Sequence, residues 1–313
     1  MIKFNVKNKI LSFLPPSLLS MLKFVKKTYN RLNYKLSRLS DPTVVYQHDI
    51  VSSLKKVGLH KGDGVMLHSS MSVFGKIDGG PQTVVDSIIE VVGDTGLIVM
   101  PSYPLTTKMK NYLDQGITFD IRSTPSKMGA ITECFRKMPD VYRSIHPTHP
   151  VCARGTGAKE LVAGHEYCST PFCEGSPFDK IVNKNLYLLL FGVDFGPVTI
   201  YHVFEDKLGD KFPVNVYLDK IYNARCIRDN GSEIIVQTLS HDPKLSDIRI
   251  DNNKNKSEQF YKLLKNRGLI KEVTLGNGRI MIVGLKDLLS EMQNFLALGI
   301  TIYDMEIDSC DNT

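Results

Sequence analysis

Residues 186–191 read Leu-Tyr-Leu-Leu-Leu-Phe. A run this short cannot cross a bilayer as a helix. Its apolar character is almost continuous, where a strand with one wet face would alternate. A strand of that kind sits in the middle of a sheet covered on both faces. The chain around it must therefore supply helices for two layers, and from Pro42 onward it does. Residues 45–57, 81–92, 127–137, 158–164, 199–208 and 285–298 carry helical periodicity or helix boundary signals. Residues 64–68, 96–100, 151–154 and 186–191 read as strands. Pro81 is well placed for a first helical turn. Asn230-Gly231, between expected strands 216–228 and 233–239, predicts a hairpin, as does Asn277-Gly278 between 272–275 and 279–283. The fold class is α/β: a mixed central sheet with helices on both faces and β-hairpins toward the C-terminus.

Charge divides the chain in two. Residues 1–41 hold nine Lys or Arg and one acid, so this arm carries +8 of a total of +6, and residues 42–313 carry −2. A nucleic-acid enzyme would spread basic residues over its body, so that class is disfavoured. The arm interleaves lysines with Ile10, Leu11, Phe13, Leu14, Leu18, Leu19 and Leu22. It is expected to form amphipathic helices that lie on an anionic membrane surface or pack on the body or a second subunit. The domains are thus a basic arm, 1–41, and a catalytic domain, 42–313. Six cysteines form no C-x-x-C pair, and no histidine–cysteine spacing suggests a metal. A reducing cytoplasm, with the arm at the inner face of the membrane, is the expected location.

Four segments carry the chemistry. His68-Ser69-Ser70 through Phe74-Gly75 to Gly79-Gly80 follows an expected strand and opens a helix, which makes an anion cradle. Asp120 to Gly129 contains Thr124, which with Ser123 is a candidate cap for a helix starting near Pro125. Arg143-Ser144-Ile145-His146-Pro147-Thr148-His149 sets two histidines in a loop, where imidazole can move protons near neutral pH. In Thr199-Ile200-Tyr201-His202-Val203-Phe204-Glu205 a helix puts His202 and Glu205 on one face, after the carboxyl end of the central strand. A carboxylate that orients an imidazole is what a general base requires.

Five motifs in order resemble the aminoglycoside 3-N-acetyltransferase family: H-S-S-x₄-G-x₃-G-G at 68–80, T-P-S-x-M-G-x₃-E-x-F-R at 124–136, R-S-x-H-P-x-H-P-x-x-A-x-G at 143–155, C-E-G-S-P-F-D-K at 173–180 and T-x-x-H-x-x-E at 199–205. The resemblance implies that family's own α/β fold and acyl-coenzyme A as co-substrate. It implies His202 and Glu205 as catalytic residues, to which His146 is added. It also implies His68, Ser69, Ser70, Phe74, Gly75, Thr124, Met128, Gly129, Ser176 and Phe178 as cofactor contacts. Tyr103, Asp120, His149 and Thr199 are candidate contacts to an amino-sugar acceptor. A ping-pong route would instead use Cys173 or Cys152 as nucleophile. The near-neutral body, the basic arm and the absence of Trp favour an acceptor amine on a nucleotide-linked sugar for surface polysaccharide (O-antigen) synthesis. Aminoglycoside acetylation is the alternative. No metal is expected, and a homo-oligomer is possible.

Overall fold

A computed structural model describes Val25 and residues 43–184, 186–250 and 254–303. The basic arm at 1–41 lies, Val25 apart, outside the described residues. The chain divides into units Met1–Val44 and Val45–Thr313, and everything below concerns the second.

Seven strands form the main sheet: β1 (Gly64–Ser69), β2 (Leu97–Pro101), β4 (Tyr142–Arg143), β5 (Val151–Gly155), β6 (Leu186–Phe191), β9 (Lys271–Leu275) and β10 (Gly278–Gly284). Their order is β9-β10-β6-β1-β2-β5-β4. The three central strands, β6, β1 and β2, run parallel, and β10 and β5 flank them antiparallel. A second sheet has the order β8-β7-β3, built from β3 (Phe119–Asp120) and the hairpin β7 (Tyr222–Ile227) and β8 (Glu233–Thr238).

Alternation along the strands sorts the core onto two faces. Val65, Leu67, Ile98, Met100, Cys152, Leu189, Phe191, Ile280 and Ile282 pack on α1 (Gln47–Lys56), α2 (Pro81–Val92) and α3 (Ala130–Arg136). Met66, Val99, Val151, Ala153, Leu188, Leu190, Met281 and Val283 pack on five further helices, α4 (Ala158–Val162), α5 (Pro177–Asn183), α6 (Tyr201–Leu208), α7 (Lys254–Asn266) and α8 (Leu285–Ala297). The central strand is buried on both sides, as its composition requires.

Three local expectations change. The helix expected from residue 127 starts at Ala130. Thr124 does not cap it, because its hydroxyl accepts from the Asp120 N–H at 2.8 Å, and Gly129 holds the N-cap position at φ +113°. The second hairpin turns at Gly276-Asn277, since Leu275 pairs with Gly278. Gly278 is instead a close approach: a Cβ there would meet the Phe74 ring at 2.8 Å. The strand expected from 216 begins at Tyr222, and Tyr217 makes an isolated bridge to His241. Gly192, after β6, has φ +72°, and a Cβ there would meet the Ser70 carbonyl oxygen at 2.4 Å. The loops after β6 and β1 are thereby pressed together beside the site.

Candidate active site

The three parallel strands end on one edge of the sheet, where open α/β folds place ligands. Helix α6 rises after β6, with Ile200 at its N-cap and Gly209, at φ +50°, closing it. Its i, i+3 pair is joined: His202 Nδ1 lies 2.7 Å from Glu205 Oε2. His202 is 4% exposed and Glu205 3%, so their interaction is little screened by water. Tyr303 donates its hydroxyl to Glu205 Oε1 at 2.9 Å. Burial pushes the Glu205 carboxyl up, while the Tyr303 hydroxyl and the Arg249 charge pull it back.

Aromatic rings wall the dyad. Phe172 lies 5.0 Å from His202, 5.2 Å from His149 and 5.8 Å from His241, centroid to centroid, and His241 is 4.4 Å from His202. His149 stands edge-on to Tyr103 at 4.6 Å. Tyr103, in the loop after β2, bonds Thr199 at 2.8 Å. His202, Glu205, His149, Tyr103 and Thr199 are thus gathered as the sequence suggests. Arg143, buried beneath them, donates to the carbonyls of Ser102, Ile121 and Thr124. Burial holds its guanidinium down at about 10. It fixes the loop after β2 against the segment leading to α3.

Other candidates have different places. His146 is fully buried, with Nδ1 accepting from the Thr148 and His149 N–H groups at 3.3 and 3.2 Å and Nε2 facing the Thr238 hydroxyl at 3.4 Å. Both nitrogens hold the loop and the hairpin, so it is a scaffold residue and not a proton carrier. Phe74 packs on Phe191 at 4.2 Å, in the core on the sheet face away from the dyad. Phe178 is fully buried under Phe172 at 4.8 Å. Ser176 caps α5 by accepting from the Asp179 N–H at 3.1 Å. None of these three offers a surface to a cofactor. Asp120 accepts from the Arg122 and Ser123 N–H groups and holds a turn. Met128 is half-buried and Gly129 exposed, beside Lys127, whose N–H bonds the Tyr103 carbonyl at 2.7 Å.

At the end of β1, Ser69 and Ser70 are half-buried, and the hydroxyls of Ser70 and Ser72 lie 3.1 Å apart. His68 points to the dyad face, as Met66 does. It is 7% exposed, and among the described residues its Nε2 has no partner. An orphaned buried donor or acceptor is costly unless a ligand meets it. The end of β1 therefore carries a buried polar atom that a bound molecule's polar group would satisfy.

Several residues escaped the sequence reading: Phe172, His241, Arg249, Tyr303 and an acidic wall. A cavity of about 510 Å³ adjoins the dyad, lined in part by Thr170, Cys173, Glu205, Asp206, Asp210 and Tyr217. Asp206 accepts from the hydroxyls of Thr170 and Tyr217, and burial pushes its carboxyl up to about 7. Cys173 is drawn down to about 5, chiefly by a hydrogen bond with the Cys168 thiol. Cys152 is fully buried, which pushes its thiol up and removes it as a nucleophile. His202, Glu205 and His241 bring ligand atoms within 4.8 Å of one another. The Arg249 guanidinium stands 3.0 Å from His202 Nε2, so positive charge already fills that approach.

The sequence model of the aminoglycoside 3-N-acetyltransferase family matches residues 66–297. The chain belongs to this family. Among aminoglycoside 3-N-acetyltransferase relatives it is similar to the SPbeta prophage-derived aminoglycoside N(3')-acetyltransferase-like protein YokD of Bacillus subtilis, 32% identical over 52% of this chain and 65% of the relative. It is also similar to aminoglycoside N(3)-acetyltransferase VII of Streptomyces paromomycinus, 29% identical over 52% and 62%. The chain thus spans less than two thirds of the length of these curated relatives. Among solved structures, aminoglycoside acetyltransferase AAC(3)-Xa aligns with a TM-score of 0.69 at 22% identity, covering 83% of this chain and 95% of that one. AAC-VIa bound to sisomicin aligns at 0.68 and 25%, covering 82% and 99%. The mixed α/β fold is therefore that of the family. The expectation of a nucleotide-linked amino-sugar acceptor is overturned, because the family model and the matched relatives are named for aminoglycosides. Net charge misled because it averages the whole body and reports nothing of the groups that line one cavity. Among the described residues no helix is long and apolar enough to cross a membrane.

Proposed function

We propose that this chain is an aminoglycoside 3-N-acetyltransferase with acetyl-coenzyme A as co-substrate. The observation that carries the reading is the buried His202–Glu205 pair at 2.7 Å, beside a cavity walled by Glu205, Asp206 and Asp210. The Glu205 and Asp206 carboxyl groups, raised toward neutrality by burial, can ionise against an incoming ammonium and offer it hydrogen-bond acceptors, which suits a polyamine sugar better than a pyrophosphate. His68, Ser69, Ser70 and Gly75, at the end of β1, are the residues to hold the co-substrate.

In the proposed reaction Glu205 takes the proton on Nδ1 as a hydrogen bond, which leaves the lone pair of His202 on Nε2. The imidazole removes the proton of the acceptor amine as its nitrogen bonds to the thioester carbonyl carbon. The carbon–sulfur bond then breaks, and the thiolate takes a proton from the imidazolium. The pair is thus returned to its starting state. The Tyr303 contact to Glu205 holds the pair's geometry, and positioning of this kind supplies much of a two-substrate rate enhancement.

The test is release of coenzyme A thiol from acetyl-coenzyme A on addition of sisomicin, gentamicin or apramycin. Release with at least one of them, and a raised inhibitory concentration in cells expressing the chain, are expected. A flat response across the panel rejects the reading. A covalent route would use Cys173, which lines the same cavity as Glu205. Direct transfer predicts that intact mass spectrometry after acetyl-coenzyme A alone detects no acetyl adduct, and that Cys173→Ser keeps its turnover. A stable adduct on Cys173 reverses this choice.

A further inference from the structure

Arg249 covers the edge of the imidazole that acid–base chemistry needs. Its guanidinium lies 3.0 Å from His202 Nε2, and Nδ1 of the same ring faces Glu205. A guanidinium has donors and no acceptor, and it stays protonated. The contact therefore requires a lone pair on Nε2 and a proton on Nδ1. That is the tautomer of a competent base, held with its lone pair already engaged.

The covering group belongs to a fixed piece of chain. Ile250 is fully buried, and its N–H is donated to the Ile302 carbonyl at 3.0 Å. The next residue along, Tyr303, bonds Glu205. Segments 249–250 and 302–303 thus converge on the dyad, one touching the histidine and the other the carboxylate. The Arg249 charge bears on Glu205, His149 and His241 as well. Its backbone is pinned at Ile250, but its side chain is half-buried and long enough to swing aside. An aminoglycoside amine and a guanidinium are rivals for this spot, since both bring N–H donors to one lone pair beside buried carboxyl groups.

We infer that Arg249 is an acceptor gate: it occupies the acceptor-amine position on His202 until the incoming amine displaces it. The inference rests on the proposed acetyl transfer. Without such a gate, water reaches Nε2 while the thioester is bound. Nε2 takes a proton from that water, whose oxygen bonds to the carbonyl carbon. The carbon–sulfur bond breaks, and acetate and coenzyme A thiol leave without an acceptor. The gate makes Arg249 a guard of specificity for an amine over water.

Two readouts test it in the full-length protein with Arg249→Ala, Arg249→Gln and Arg249→Lys. The first is carbethoxylation of His202 by diethyl pyrocarbonate, followed by peptide mass spectrometry on the free enzyme. It should quicken by about tenfold or more in Arg249→Ala and Arg249→Gln, as a base shielded by a strong charged contact is freed, and stay slow in Arg249→Lys. The second is thiol release from acetyl-coenzyme A without acceptor, which should rise in the same two variants. Because carbethoxylation needs no turnover, its acceleration in a protein that acetylates nothing sinks the transferase reading and keeps the covered base. Unchanged carbethoxylation and unchanged hydrolysis in any one folded charge-removing variant, Ala or Gln, overturn the gate.

Discussion

Replacing His202 with Asn should lower kcat for acetyl transfer by about 10²–10⁴-fold, the usual contribution of a positioned general base. KM for acetyl-coenzyme A should hardly move, because the co-substrate cradle sits on another strand. Asn is chosen because it is polar and compact. It can keep partners for Glu205 and Arg249, which contact the native ring at 2.7 and 3.0 Å, so the fold should survive. Steady-state kinetics with saturating acceptor, alongside a thermal melt, is the measurement. Equal loss in kcat and kcat/KM would mark an interaction made in the transition state. Full turnover in a folded His202→Asn protein removes the dyad from the mechanism. Residual activity is expected, because positioning the two substrates works without the base.

Acid should unfold this protein steeply just below neutrality. His68, His146, His149, His165 and His241 are all held below the ordinary histidine value of 6.5, and burial is the leading cause at each. His68 falls to about 4 and His165 to about 3. The unfolded chain binds these protons near pH 6.5 and the folded chain does not. Their contribution is therefore fully present above that pH and is lost as pH falls toward the folded values. Two buried carboxyls oppose them. Asp206 is raised to about 7 and Glu205 is raised as well, so folding gains from them as pH drops from neutrality to about 4. Near pH 5 the unfolded state holds five extra protons on histidine and the folded state two on carboxyls. More protons are then taken up by the unfolded chain than by the folded one, so stability falls as pH drops below about 6. A domain stable by about 5–15 kcal/mol has little margin against that fall. Urea midpoints followed by circular dichroism should hold roughly level from about pH 7.5 to about 7, where the two carboxyls offset the histidines, and fall from about pH 6.5 down to about 5. A flat line across that range would mean that the histidines titrate in the folded state.

The sheet was legible because its strands announce themselves twice, by apolar runs and by parity. Residues 186–191 and 81–92 fall where periodicity puts them, since deep burial leaves little room for polar exceptions. Boundaries that depend on side-chain bonds to the backbone were not legible. Asp120 captures Thr124 and Glu133 captures the Ser126 N–H at 2.8 Å, which delays α3 in a way that periodicity cannot report. The dyad was visible because three residues separate its partners on one helix. The groups completing it arrive from 47 and 98 positions downstream, as Arg249 and Tyr303. No local pattern marks them, because Arg249 lies in a loop and Tyr303 beyond the last helix. His146 shows the opposite error: a proton-bearing side chain in a polar loop reads as chemistry, yet the ring is spent on backbone N–H groups.

The carboxyl groups of the cavity wall, Glu205 and Asp206, share α6 with His202, whereas Thr170 and Tyr217, which bond Asp206, come from segments outside that helix. In the proposed reading, substitutions at Thr170 and Tyr217 would change acceptor choice one segment at a time and leave the helix that carries the base in place. Acceptor preference would then drift faster than the fold that holds the base.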